Sequence, residues 1–185
     1  MGDKMINRIG KFEKVSYEQF KKDWIDAFGI KYCEWDEEML ENKIRGIYDS
    51  IKLPRRATSG SAGYDFFCPT DLYVNANGAI KIPTGIKCFM EKGWVLQCYP
   101  RSGHGFKHGV HLANTVGIVD EDYYNNANNE GHIFIKLIND SVLSNTHISI
   151  KSGDAFCQGI IIPYGITYDD DVNDVREGGI GSTSK

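Results

Sequence analysis

The first part of the chain has a helical pattern of apolar residues. Large apolar side chains recur at every fourth position at Phe20, Trp24 and Phe28, which places them on one helix face. Ser16 followed three residues later by Gln19 fits a capping box at the start of this helix. The pattern therefore predicts a helix that begins after Ser16.

A second apolar stripe at helical spacing follows. Leu40, Ile44, Ile47 and Ile51 fall on one face, and Asp36 is placed to cap the helix that carries them. Such stripes are typical of packing surfaces rather than cofactor sites. We expect the two helices to cover a β domain or a neighbouring subunit.

From Lys52 onward, short strand-like runs alternate with Gly, Asn and Asp clusters. The clearest runs are residues 79–83, 94–99, 132–138, 146–151 and 156–162. The last is almost continuously apolar, which predicts a strand buried on both faces. Many short strands between turns predict a sandwich, jelly roll or barrel, and no β-helix-β rhythm supports a Rossmann-type fold.

These patterns predict three regions: a helical N-terminal extension over residues 1–51, a β domain over 52–170, and a flexible tail over 171–185. The tail is acidic and then Gly-rich, as disordered termini often are. The chain has 185 residues, of which 41% are hydrophobic and 25% charged, as expected for one globular domain with an appendage.

The overall charge bears on possible partners. A net charge of −4 and a pI near 5.7 give no basic field for gripping nucleic acid or an anionic membrane. The sequence has no apolar run of about 18 residues, so no membrane helix is expected. Five single cysteines without a C-x-x-C pair indicate reduced thiols in a cytoplasmic protein.

Five segments are polar or Gly-rich where simple turns would suffice. They read ATSGSAGYDFFC, PRSGHGFKHGV, NTVGIVDEDYYNN, GDAFCQGIIIP and REGGIGSTSK. In the second segment, Arg101 offers a planar fork for phosphate oxygens, and Ser102 with the amide of Gly103 suits an anion nest, although a plain loop explains it equally well. Its glycines argue against a helix, and therefore against a metal site built from the three nearby histidines.

Four acidic or amide side chains in these segments also have two interpretations. Asp120 and Asp122 precede Tyr123 at an apparent hairpin tip, either as solvated turn residues or as a general base beside an aromatic wall. Gln158 is an amide inside an apolar strand, so it is satisfied by backbone or aimed at a ligand. Asp65 is a carboxylate entering a strand, in a turn or in a site.

Taken in order, the five segments resemble the five motifs of the trimeric dUTPases. The matching stretches are ATSGSAGYD, RSGHGFKHG, NTVGIVDEDY, GDAFCQ and GGIGST, and they extend from about Leu53 to the C-terminus. The resemblance implies a jelly-roll-like β-barrel in a homotrimer with active sites shared between subunits. It also implies Mg²⁺-assisted hydrolysis of dUTP to dUMP and pyrophosphate, which keeps uracil out of DNA and supplies dUMP for dTMP synthesis.

The resemblance also implies residue roles around the nucleoside. Asp120 matches the general base that activates a water for attack on the α-phosphorus. Asn114 and the backbone near Gly117 match the uracil readers. Tyr123 matches the aromatic residue that packs on the deoxyribose and excludes a 2′-hydroxyl. Asp65 matches a carboxylate near the hydration shell of Mg²⁺.

Further matches concern the phosphates and the tail. Phosphate-contacting positions of the family correspond to Arg101, Ser102, Gly103, Gln158, Arg176, Ser182 and Thr183. The C-terminal motif closes over bound nucleotide in the family, and Ile180 stands where a phenylalanine usually stacks on uracil. The helical N-terminal region lies outside the common family core, and the segment after Tyr123 is longer than the usual tight turn.

Two alternatives remain open. The dCTP deaminases share the fold but place a catalytic Glu in the strand after the third motif, and here that strand reads HIFIKLIN, without an acid. A non-catalytic relative could keep the fold as an interaction module, but Arg101, Ser102, Asp120 and Tyr123 are all retained, which favours an enzyme.

Overall fold

The computed structural model describes residues 7–29, 35–141, 147–174, 176 and 178. Ile180, Ser182 and Thr183 lie outside the described residues. Within the described ranges, no helix is long and apolar enough to cross a membrane.

Both predicted N-terminal helices are present. Helix α1 spans Tyr17–Phe28 and helix α2 spans Glu37–Ser50. The Ser16 hydroxyl accepts a hydrogen bond from the N–H of Gln19 (3.1 Å), and the Asp36 carboxylate accepts one from the N–H of Met39 (2.7 Å). Both side chains therefore satisfy backbone donors that the first helical turn leaves unpaired.

The predicted capping box is completed from a distant part of the chain. The side chain of Gln19 donates to Asp23 (2.8 Å) rather than to the backbone of Ser16. The N–H of Ser16 instead donates to the carboxylate of Glu130 (2.8 Å). The sequence pattern reports local partners only, so it missed this contact.

The rest of the described chain is mainly β, as predicted. Its strands are Gly10–Lys14 (β1), Tyr64–Phe67 (β2), Leu72–Val74 (β3), Gly78–Pro83 (β4), Ile86–Met90 (β5), Trp94–Pro100 (β6), Val110–Leu112 (β7), Gly117–Val119 (β8), Phe134–Asn139 (β9), Ile148–Ile150 (β10) and Ala155–Pro163 (β11). All pairings are antiparallel. They give a four-stranded sheet in the order β2-β11-β6-β8, a three-stranded sheet in the order β4-β9-β7, and the pairs β1-β5 and β3-β10.

The N-terminal region is not purely helical, contrary to the prediction. Strand β1 precedes α1 and pairs with β5 along its whole length. Phe20, Trp24 and Ile44 of the two helices lie in the same hydrophobic core as Leu96 of β6 and Leu137 of β9. The N-terminal residues therefore add to the β core instead of forming a separate layer.

Strand β11 also differs from its prediction. It lies between β2 and β6 and is buried at Phe156 and Cys157, but Ile160, Ile161 and Ile162 are only half-buried. Burial on both faces therefore does not hold along its whole length, because side chains on both faces are partly exposed towards its C-terminal end.

A buried hydrogen-bonded pair joins α1 to the β domain. The side chain of His132 is fully buried, and its Nδ1 lies 2.5 Å from Oδ2 of Asp23. Its Nε2 accepts a hydrogen bond from the N–H of Gly85 (2.7 Å), so Nδ1 carries the proton and donates it to Asp23. Burial lowers the pKa of His132, although Asp23 opposes the shift. Burial opposes the ionisation of Asp23, but hydrogen bonds from His132 and Gln19 outweigh it and lower the pKa of this carboxyl.

Removal of Asp23 should destabilise the fold. Asp23→Ala leaves the Nδ1–H of His132 buried without an acceptor, and we expect a loss of about 1–3 kcal/mol in the free energy of unfolding. The matched control is Asp26→Ala on the same helix, which removes an exposed ion pair with Lys81 and should change stability little. Urea denaturation measures both, and equal stabilities of the two variants would contradict the role of the buried pair.

The same pair predicts a pH dependence. The unfolded chain takes up a proton at His132 near its ordinary pKa of about 6.5, whereas the folded chain resists until lower pH. Stability should therefore be full above about pH 6.5 and fall below it, with a further loss from Asp23 near its ordinary pKa of about 3.9. Burial also lowers the pKa of His104, so protonation of this residue also lowers the free energy of unfolding as the pH falls. Urea denaturation of His132→Gln and His104→Gln between about pH 7.5 and 5.5 separates the contributions of the two residues. If the free energy of unfolding of His132→Gln fell with pH as steeply as that of the wild type, His132 would not be the source of the pH dependence.

Candidate active site

A cleft of about 270 Å³ collects residues from the third motif and the tail. Its lining includes Asn114, Gly117, Asp120, Tyr123 and Arg176, with β9 forming one wall. Five predicted site residues, separated by up to 62 positions in sequence, therefore share one cavity.

The turn between β7 and β8 shapes one end of the cleft. Thr115 has a left-handed φ of 63°, and the N–H of Val116 donates to the carbonyl of Asn114 (2.6 Å). Gly117 then approaches β6 so closely that a Cβ there would lie 3.1 Å from Cβ of Cys98. A side chain at this position would therefore have to displace Cys98.

Asp120 does not lie at a hairpin tip, contrary to the prediction. It directly precedes a single 3-10 turn, Glu121–Tyr123, and its side chain is half exposed. The guanidinium of Arg176 donates to Asp120 through Nη2 and to Asp122 through Nε (2.8 Å). The Arg176 side chain is only 12% exposed, so it partly fills the cleft beside both carboxylates.

Tyr123 forms a firmly held wall of the cleft. It is 7% exposed, its hydroxyl donates to the carbonyl of His132 (3.1 Å) and accepts from Nδ2 of Asn129 (2.7 Å). Burial raises the pKa of the phenol, so Tyr123 is neutral at physiological pH. The guanidinium of Arg176 lies 5.6 Å from the ring centroid.

A second group of predicted residues gathers at the other motifs. Asp65 of β2 pairs directly with Gln158 of β11, and Nε2 of Gln158 donates to the carbonyl of Pro100 (3.3 Å). Nη1 of Arg101 lies 3.7 Å from Oδ2 of Asp65. Ser102, which directly follows Arg101, is exposed. Three motifs therefore meet at one end of the four-stranded sheet.

The second motif forms a short helix, contrary to the prediction from its glycines. Helix α3 spans Ser102–His108 and ends at Gly109, whose left-handed φ of 66° suits a helix end. A Cβ added to Gly103, in the first turn, would meet no atoms within 4 Å. Among the residues that the structure describes, no three His, Cys, Asp or Glu side chains come close enough to hold a metal ion.

The second group does not belong to the cleft. Asp65, Gln158 and Tyr99 form one row of paired residues, so their side chains share a face. Asp65, Arg101 and Gln158 do not line the cleft that contains Asp120. One chain therefore does not bring Asp120 and Gln158 into the same cavity.

The sequence reasoning missed several contributors to the cleft. Cys98, Phe134 and Lys136 line it, although the sequence marked them only as members of predicted strands. Asn129 and His132 hold Tyr123 from a segment whose unusual length was the only signal in the sequence.

The family model for dUTPase matches residues 49–184. The chain belongs to the dUTPase family. The deoxyuridine 5′-triphosphate nucleotidohydrolase of Lactococcus lactis subsp. lactis is 42% identical over 137 residues, covering 72% of this chain and 88% of the relative. That of Wolinella succinogenes is 34% identical over 155 residues, covering 80% of this chain and 98% of the relative.

Solved dUTPase structures share the fold. The crystal structure of the dUTPase from Streptococcus mutans has a TM-score of 0.57 at 36% identity and covers 64% of this chain and 90% of its own. A mutant dUTPase from phage phi11 of S. aureus, which coordinates a structural Mg(II) ion, has a TM-score of 0.55 at 20% identity, covering 68% of this chain and 92% of its own. At that identity the likeness concerns the fold alone.

Proposed function

We propose that this protein hydrolyses dUTP to dUMP and pyrophosphate. The observation that carries the proposal is the cleft that Asn114, Gly117, Asp120 and Tyr123 share in a chain of the dUTPase family. The names of its relatives support the same substrate. By analogy, the described fold would close as a jelly-roll-like barrel.

The cleft suits a deoxynucleoside. The Asn114 side chain and the Gly117 backbone, which both line the cleft, offer amide and carbonyl groups that can form hydrogen bonds with the uracil edge. The Tyr123 ring packs on the deoxyribose and leaves no room for a 2′-hydroxyl. In the tail, Ile180 covers the open face of the base.

The chemistry is attack of water on the α-phosphorus. Asp120 accepts a proton from the water as its oxygen bonds to phosphorus, and the bond from the α-phosphorus to the oxygen shared with the β-phosphate breaks. Pyrophosphate leaves with that oxygen and dUMP remains. The half-exposed position of Asp120 gives water access to its carboxylate.

The second group of residues suits the phosphates. Arg101 supplies a bidentate donor, and Ser102, the amide of Gly103 and the amide of Gln158 add neutral donors. Arg176, Ser182 and Thr183 reach the phosphates from the tail, which closes over them as a lid. Donors aimed at these oxygens stabilise the charge that develops in the transition state.

The residues present fit Mg²⁺, because this ion is usually bound through one or two carboxylates together with substrate phosphates and waters. Asp65 lies beside the proposed phosphate-binding residues and would hold Mg²⁺ through a water. When bound, the ion supplies charge neutralisation on the phosphate oxygens.

A homotrimer completes the site. Gln158, Arg101 and Asp65 do not line the cleft of their own chain, so a functional site needs the proposed phosphate-binding residues of one subunit against the cleft of another. In the cell, the reaction would keep uracil out of DNA and supply dUMP for dTMP synthesis, in the cytoplasm and without direct binding of nucleic acid or membrane.

The activity can be tested with four nucleotides in parallel. We expect pyrophosphate release from dUTP, much less from dCTP, dTTP and UTP, and a requirement for Mg²⁺. Asp120→Asn should lower kcat by about 10²–10⁴ because the side chain keeps its shape but loses the proton acceptor. Asp122→Asn is the matched control, since Asp122 also pairs with Arg176 but has no assigned catalytic role. Equal turnover by the two variants would remove Asp120 from its role, and ammonia release from dCTP would point to a deaminase.

Shared sites can be tested by mixing two inactive variants. Asp120→Asn lacks the base and Arg101→Ala lacks a phosphate donor, so each homotrimer should be inactive. If the two residues of a site come from different subunits, equal mixing should restore about one site in four, because half of the subunits at each position are intact. Co-refolding and assay at matched protein concentration measure this. Mixed samples that stay inactive, although mass analysis shows mixed trimers, would contradict shared sites.

A further inference from the structure

Residues 124–132 form a loop that holds Tyr123 both by its backbone carbonyl and by its side-chain hydroxyl. Nδ2 of Asn126 donates to the carbonyl of Tyr123 (2.8 Å) and to Oδ1 of Asn129 (2.8 Å). Nδ2 of Asn129 donates to the Tyr123 hydroxyl (2.7 Å), which in turn donates to the carbonyl of His132 (3.1 Å). Asn126 and Asn129 are both buried, so these bonds are shielded from competing water.

The loop also fixes its own shape. Oδ1 of Asn126 accepts from the N–H groups of Asn128 (3.0 Å) and Asn129 (3.1 Å), and Oδ1 of Asn129 accepts from the N–H of Gly131 (3.1 Å). Gly131 has a φ of 80°, and a Cβ there would lie 2.6 Å from the carbonyl oxygen of Tyr123. Both polar atoms of the Asn129 side chain therefore make hydrogen bonds, and Nδ2 is the one that contacts the Tyr123 hydroxyl.

The N-terminal strand and helix anchor this loop from outside. Three side chains of the loop make the contacts: Tyr124 donates to Glu13 of β1, Glu130 accepts from the backbone and hydroxyl of Ser16, and His132 bonds to Asp23 of α1. The two features that depart from the common family core, the N-terminal region and the long segment after Tyr123, therefore support each other.

We propose that Asn129 is a positioning residue that fixes the Tyr123 ring against the sugar and thereby sets the preference for deoxyribose over ribose. The inference rests on the proposed function. An aromatic ring excludes a 2′-hydroxyl only if the ring is held in position, and the hydrogen bond from Asn129 holds the hydroxyl end of the ring to the loop. Through His132 and Asp23, helix α1 contributes to the same restraint.

The test compares kcat/KM for dUTP and UTP in Asn129→Ala, Tyr123→Phe and the double variant. Each single change removes the bond between the side chains; Tyr123→Phe also removes the bond to the carbonyl of His132, but it leaves the bonds of Asn126 and Asn129 within the loop intact. We expect each to lower the dUTP-to-UTP ratio by about three- to tenfold, on the scale of one hydrogen bond, mainly through KM. The double variant should lower it by less than the product of the two single effects, because both changes remove the bond between Asn129 and Tyr123.

Asn128→Ala is the matched control, since this side chain is exposed in the same loop. Asp23→Ala should lower the ratio in the same direction, whereas Asp26→Ala should not. Assays run well below the melting temperature of each variant separate positioning from stability. A lower Tm with an unchanged ratio in Asn129→Ala and Tyr123→Phe would overturn the inference while leaving the proposed function intact. Absence of dUTP hydrolysis by the wild type would overturn the proposed function, and the inference with it.

Discussion

The antiparallel pairing of β11 with β2 and β6 is the constraint on which the candidate site depends. It places Asp65, Gln158 and Tyr99 in one row, so that side chains of the first and fourth motifs share a face. A slip of one residue would exchange the faces and send Gln158 into the core. The register therefore determines which motifs meet within one chain.

The buried pair of Asp23 and His132 has a comparable role for the N-terminal region. Nδ1 of His132 bonds to α1, Nε2 to the backbone at Gly85, and its carbonyl accepts from Tyr123. One residue thus connects the helix, the β core and the wall of the cleft. A hydrogen-bonded group at 0% exposure is costly to leave unpaired, so these three parts are held in a fixed relation.

The sequence predicted what local patterns encode. The helix caps at Ser16 and Asp36 and the main strands depend on neighbours within a few residues, and these were correct. Helix α3 was missed because its glycines outweighed the helical spacing, and β1 was missed because its partner is about 75 residues away. The cleft residues came from motif resemblance, whereas Asn129 and Glu130 act through contacts that no local pattern contains.

The ion pairs of Arg176 set a condition on the proposed chemistry. Arg176 donates to both Asp120 and Asp122, so it occupies carboxylate oxygens that a water would otherwise contact. A triphosphate offers the same guanidinium more negative charge and a bidentate geometry. Transfer of Arg176 from the two carboxylates to the phosphates would free Asp120 for water as substrate arrives. The residue proposed to grip the substrate would then also occupy the carboxylate of Asp120 until the substrate is present.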